Sequence, residues 1–152
     1  MLHLHRRRTA YLLDVNNATE IVTMETVKNI ALTATFGLLA FAMFGAGFAK
    51  LSADPMMVTN FVDIWGYGLG FMYFTGATEW VAAALLVLSK TRFYGAMLAG
   101  ATMVGAIGTH LMAAEFGGVA VPLFLGSLAA VTAYNNVPEA LTGTAGTPAP
   151  QA

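Results

Sequence analysis

Residues 70–88 read GFMYFTGATEWVAAALLVL. The run is apolar and long enough to cross a bilayer, since about 20 residues at 1.5 Å each span a hydrocarbon core of about 30 Å. It carries one carboxylate, Glu79, near its middle. A charge at that depth is expensive unless it has a partner or a proton, and intramembrane acids are functional by default. The run predicts a transmembrane helix whose acid has a task, either chemical or as an interhelical bond.

Three more runs of the same kind flank it. Residues 29–49 have no charge between Lys28 and Lys50, and Thr33 and Thr35 are the polar residues inside the run. A soluble core helix of that length would show polar positions at helical spacing. Residues 93–114, FYGAMLAGATMVGAIGTHLMAA, hold one ionisable side chain, His110, about one turn from the far end. Residues 118–134 carry Pro122 near their start, where a proline breaks few backbone bonds. The expected fold is an all-α membrane protein, a four-transmembrane-helix bundle. Composition agrees: 57% of residues are hydrophobic and 10% charged, where a soluble domain has about 25% charged. Sixteen glycines suit helices that pack closely in lipid.

The connection KLSADPMMVTNFVDIWGY, residues 50–67, has structure of its own. Asp54-Pro55 supplies an N-cap and a first-position proline. Met57, Phe61, Ile64 and Trp65 follow at helical spacing, and Gly66 and Gly68 end the pattern. This predicts a short interfacial amphipathic helix between helices 1 and 2, with Trp65, Tyr67 and Tyr73 as an aromatic belt. An ordinary amphipathic loop helix has the same pattern.

The expected domain organisation is a polar, partly disordered N-terminal extension (1–27), the four-helix domain (28–135) and a disordered tail (136–152) rich in Gly, Pro and Ala. Arg6, Arg7 and Arg8 lack the apolar run that a signal peptide needs. Met24, followed by Glu25-Thr26-Val27-Lys28, offers an alternative start. His3 and His5 have no third ligand nearby and read as a solvated tail rather than a metal pair.

Lys28, Arg6, Arg7 and Arg8 precede the first span, and Lys90 and Arg92 lie between the second and third. Lys50 alone lies on the other side. The positive-inside rule puts both termini in the cytoplasm, and the expected location is the bacterial cytoplasmic membrane.

Several functions are excluded. The chain has no cysteine, hence no disulfide framework, thiolate metal site, persulfide carrier or thiol relay. A net charge of −1 gives no surface for nucleic acid. One intramembrane histidine cannot supply bis-histidine haem ligation, and one His with one Glu is too few for a closed zinc site, so no metal is expected. His110 as a single axial ligand to a tetrapyrrole is the remaining metal-type alternative.

With this topology Lys50, Glu79 and His110 all belong to the outer half of the bundle. Counted at helical rise, His110 lies about 6 Å and Glu79 about 14 Å from the outer helix ends. On the second span Met72, Thr75, Gly76, Glu79, Ala83 and Leu86 share a stripe; on the third, Ala99, Met103, Ala106 and His110 do. The sharp reading is a polar cluster of Glu79, His110 and Lys50, with Asp63 and Thr109 beside it. A Glu–His pair between helices can hold one proton, as quinone or quinol chemistry requires. The bland reading is an interhelical hydrogen bond and an interfacial lysine anchor.

The run GFAKLSADP at 47–55, with Phe61, residues 66–70 and TGATEWVAAALLVLSKTRFYGAMLAGATMVGAIGTHLM at 75–112, resembles the DoxX-like family of four-helix integral membrane proteins. The matching features are Gly47, Lys50 and Leu51 closing the first span, Glu79 in the second, the basic turn Lys90 and Arg92, and Met103, Gly105, Ala106 and His110 in the third. The resemblance covers roughly residues 28–135. It implies a link to membrane oxidoreductases, since the family is named after a subunit of a thiosulfate:quinone oxidoreductase. A related member associates with a superoxide dismutase and a sulfurtransferase.

The expected function is a quinone-linked subunit of a membrane redox system, at most an oxidoreductase subunit. Glu79 and His110 handle protons, and Lys50, Glu79, His110 and Thr109 bind the quinone. The expected partners are the lipid bilayer and other membrane or periplasmic subunits. The alternative is a non-catalytic accessory or assembly subunit of a larger respiratory or photosynthetic complex. A carrier or channel fits less well, because four short helices leave little pore without oligomerisation.

Overall fold

A computed structural model of the chain describes residues 2–142, with side chains from Thr19 onward. All the elements described are helical: α1 (Leu2–Leu51), α2 (Pro55–Val58), a π-helical turn (Thr59–Ile64), α3 (Gly68–Val87), α4 (Arg92–Met112), a 3-10 turn (Phe116–Val119), α5 (Ala120–Tyr134) and α6 (Glu139–Thr142). Four segments are long and apolar enough to cross a membrane: Thr19–Leu51, Gly68–Val87, Arg92–Met112 and Phe116–Tyr134. The bundle and the short helix after its first member are those the sequence predicts.

The first helix is longer than expected. It starts at Leu2, not near residue 29, so the N-terminal extension is helical where a partly disordered segment was expected. Neither proline nor glycine precedes Gly37, and good helix formers are frequent, so nothing in the extension stops the helix. His3 and His5 lie among the residues whose side chains are not described. At the other end Glu139–Thr142 forms one helical turn. The rest of the expected disordered tail, 143–152, lies outside the described residues.

The chain divides into two compact units, residues 1–34 and 35–152. In the first, the hydroxyls of Thr23 and Thr26 donate to the carbonyls four residues back, at 2.8 Å. The second holds the core. Leu39, Ala40 and Met43 of α1 pack with Ala82, Ala83 and Leu86 of α3, Ala96, Ala99 and Met103 of α4, and Ala129 and Ala133 of α5. Lipid tails are as apolar as these side chains, so packing geometry rather than water exclusion selects the contacts. Small residues therefore meet small residues. A Cβ on Gly95 would come within 2.7 Å of the Leu86 backbone, so α4 leaves the α3–α4 turn in direct backbone contact. Arg92 closes the same turn, donating from Nε to the Leu86 carbonyl at 3.0 Å with its guanidinium 3.6 Å from the Phe36 ring centroid.

α1 and α4 end in the same way. Ala53 and Ala114 adopt positive φ, 53° and 58°. Asp54 N–H donates to the Ala49 carbonyl and Ala53 N–H to that of Lys50; Glu115 N–H donates to His110 and Ala114 N–H to Leu111. Both are Schellman motifs with alanine where glycine is usual. Each folds the chain back over its own last turn, which holds Lys50 in one case and His110 in the other.

Candidate functional site

The structure divides the expected polar cluster into two sites. The first is inside the bundle. Lys50 Nζ donates to both carboxylate oxygens of Glu79, at 2.8 and 2.7 Å, and lies 3.5 Å from the Ala46 carbonyl. Both residues are buried, 9% and 5% exposed.

Two glycines let the pair form. A Cβ on Gly76 would lie 2.9 Å from Lys50 Cβ, and one on Gly47 would lie 2.7 Å from the Gly76 carbonyl. Backbone thus meets backbone one turn from each charge. Lys50 is next to last in α1 yet packs at the level of Gly76, the ninth residue of α3. The end of α1 therefore stops below the start of α3, and its ammonium reaches the acid without an extended side chain. Trp80 adds a second tie, donating from Nε1 to the Phe44 carbonyl at 3.1 Å and stacking on the Phe44 ring. With each carboxylate oxygen taken by the ammonium, the pair is a closed clamp between α1 and α3.

The second site is at the end of α4. His110 Nδ1 and Trp65 Nε1 both bond the same oxygen of Glu115, at 2.9 and 3.1 Å. The Schellman turn at Ala114 brings Glu115 back over His110, so backbone and side-chain bonds join the same two residues. Gly118 lies against the ring: a Cβ there would collide with the imidazole atoms. Trp65 meets the ring edge-on, with centroids 5.4 Å apart. Tyr67 OH lies 3.1 Å from Thr109 Oγ1. The Thr109 proton is taken by the Gly105 carbonyl, so Tyr67 is the donor.

The π-helical turn aims Trp65. Its N–H bonds the Asn60 carbonyl, five residues back, which widens the turn. Phe61 and Trp65 then face inward, in edge contact at 5.0 Å, and Ile64, expected on the same face, is exposed. Positive φ at Gly66 and Gly68, 70° and 78°, reverses the chain into α3. Tyr73 is exposed on α3, and Asp63 is exposed, away from the bonds that hold His110.

The expected Glu79–His110 pair is thus corrected: each takes another partner, Lys50 for the glutamate and Glu115 for the histidine. Lys50 joins Glu79 as expected, and Thr109 neighbours His110 on α4 but serves Tyr67. Glu115, and the indole of Trp65 as a hydrogen-bond donor, were missed. The αL residue that folds Glu115 back is an alanine, and so leaves no glycine to mark the turn. Among the described residues no three His, Asp or Glu side chains converge as a metal site.

The model of the DoxX-like family matches residues 34–132, well over half of the chain. The chain belongs to the DoxX-like family. The match takes in both sites of this integral membrane protein, from Lys50 and Glu79 to Trp65, His110 and Glu115. No curated protein and no solved structure matches the chain.

Proposed function

We propose that this DoxX-like protein is a quinone-linked subunit of a membrane redox system, with the quinone head group at His110 rather than at Glu79. One observation carries this reading. Glu115, Gly118 and Trp65 fix the imidazole on three sides, and its bond to Glu115 uses Nδ1. Among the described residues Nε2 has no hydrogen-bond partner and no buried side-chain nitrogen or oxygen lacks one, so this nitrogen is not fully buried. An unpartnered imidazole nitrogen backed by a carboxylate is a proton-handling group. The Trp65 ring beside it, with Tyr67 next to Trp65, gives the aromatic surroundings that suit a flat head group.

The Lys50–Glu79 clamp ties α1 to α3 and does not bind the quinone. The chain supplies binding and proton handling, and a membrane or periplasmic redox partner exchanges the electrons. The membrane proposed is the bacterial cytoplasmic one, in which the distribution of Lys and Arg favours both termini in the cytoplasm. The test is the quinone content of organic extracts of the protein purified in mild detergent. Quinone is expected with the wild type and strongly reduced with His110→Gln; equal content in the two refutes the site.

The saturated clamp favours a second reading, an accessory subunit that holds a larger complex together. In that case Glu79→Gln changes assembly with partners, and His110→Gln changes nothing.

A further inference from the structure

The bonds around His110 decide which oxidation state of the head group it receives. Glu115 as a carboxylate only accepts hydrogen bonds, and Trp65 Nε1 only donates. The same oxygen already accepts from Trp65 Nε1, and an ionised carboxylate oxygen can accept a second, charge-assisted bond from the ring. Opposite an ionised Glu115, His110 Nδ1 carries the proton in that bond. In the neutral ring the other nitrogen, Nε2, is then an acceptor. Gly118 and Trp65 hold the ring in place, so it cannot flip to offer Nδ1 without breaking the Glu115 bond.

An acceptor at the site selects a ligand with a proton to donate. A hydroquinone presents an O–H, while a quinone presents only carbonyl oxygens, which face Nε2 lone pair to lone pair. Resting on the head-group site proposed above, we infer that the site takes the reduced, hydroquinone form, with the phenolic O–H donating to His110 Nε2. The step is binding alone: no covalent bond breaks, and the proton stays on the phenol oxygen. Glu115 is a positioning residue, setting the tautomer without touching the ligand.

The test compares duroquinol and duroquinone binding to the full-length chain in detergent, under anaerobic conditions. Duroquinol is expected to bind about tenfold or more tightly, the effect of satisfying rather than opposing one sheltered acceptor. In Glu115→Ala that preference is expected to fall toward parity, because the ring is then free to hold its proton on either nitrogen. A readout on the unaltered protein needs no variant to fold. Nitrogen NMR of labelled histidine, with His110 assigned by its loss in His110→Gln, is expected to show the proton on Nδ1. Equal or tighter binding of duroquinone, or a proton resident on Nε2, overturns this inference and leaves the head-group site standing. Binding of neither compound overturns both.

Discussion

Lys50 Nζ lies 2.8 and 2.7 Å from the two carboxylate oxygens of Glu79, tying the end of α1 to the middle of α3. Removing one member leaves a buried charge without its partner, while removing both leaves only a packing change. Lys50→Met or Glu79→Leu alone should destabilise by about 3–5 kcal/mol, and the Lys50→Met/Glu79→Leu double variant by clearly less than the two effects added. Unfolding in mixed micelles measures all three. Additive losses would show that the pair is not coupled.

Gly47 and Gly76 set the distance that the clamp needs. A methyl at either position meets backbone or side-chain atoms of the facing helix. Gly76→Val should cost about 1–3 kcal/mol through overpacking and weaken the ion pair with it. Gly45, whose Cβ would enter open space, is the control. Gly45→Ala should be neutral or stabilising by less than about 1 kcal/mol. Thermal unfolding of the two variants in detergent separates close approach from simple loss of glycine.

Ala114 holds a left-handed conformation, φ 58°. Glycine adopts it without the steric penalty of a Cβ. Ala114→Gly should therefore stabilise the protein by about 1 kcal/mol and keep Glu115 against His110. A melting temperature that falls would mean that the turn is held by something other than its backbone conformation.

Orientation can be checked by labelling, because the chain has no cysteine of its own. A single cysteine at Lys90, in the α3–α4 turn, should be shielded from a membrane-impermeant thiol reagent in intact cells. One at Ser52, after α1, should be labelled. The reverse pattern would put the termini outside the cytoplasm.

The spans and the short helix after the first were legible because uninterrupted apolar length and Asp54-Pro55 are local signals. Lys50 and Glu79 were legible as members of one polar cluster, but not as a pair closed on each other to the exclusion of His110. Depth counted from helix ends set Lys50 at the surface, and nothing local reveals that α1 stops level with Gly76. The His110 site was half legible. The histidine interrupts an apolar run, whereas Glu115 reads as a loop residue until the turn at Ala114 folds it back. The π-helical turn is equally silent, since its residues suit an α-helix, and it moves Ile64 off the face where the 3.6-residue period places it.

Trp65 is placed to report a head group bound through its O–H to His110 Nε2. Its ring lies 5.4 Å from that of His110, while Trp80, the only other tryptophan, stacks on Phe44 of α1. Trp80→Phe makes Trp65 the sole tryptophan, excited selectively beyond the tyrosine absorption. Titrating this variant with duroquinol under anaerobic conditions should give saturable quenching of Trp65, weakened about tenfold or more when His110→Gln is added. Quenching that rises linearly without saturating, or that saturates equally with and without His110, would contradict a head-group site at His110.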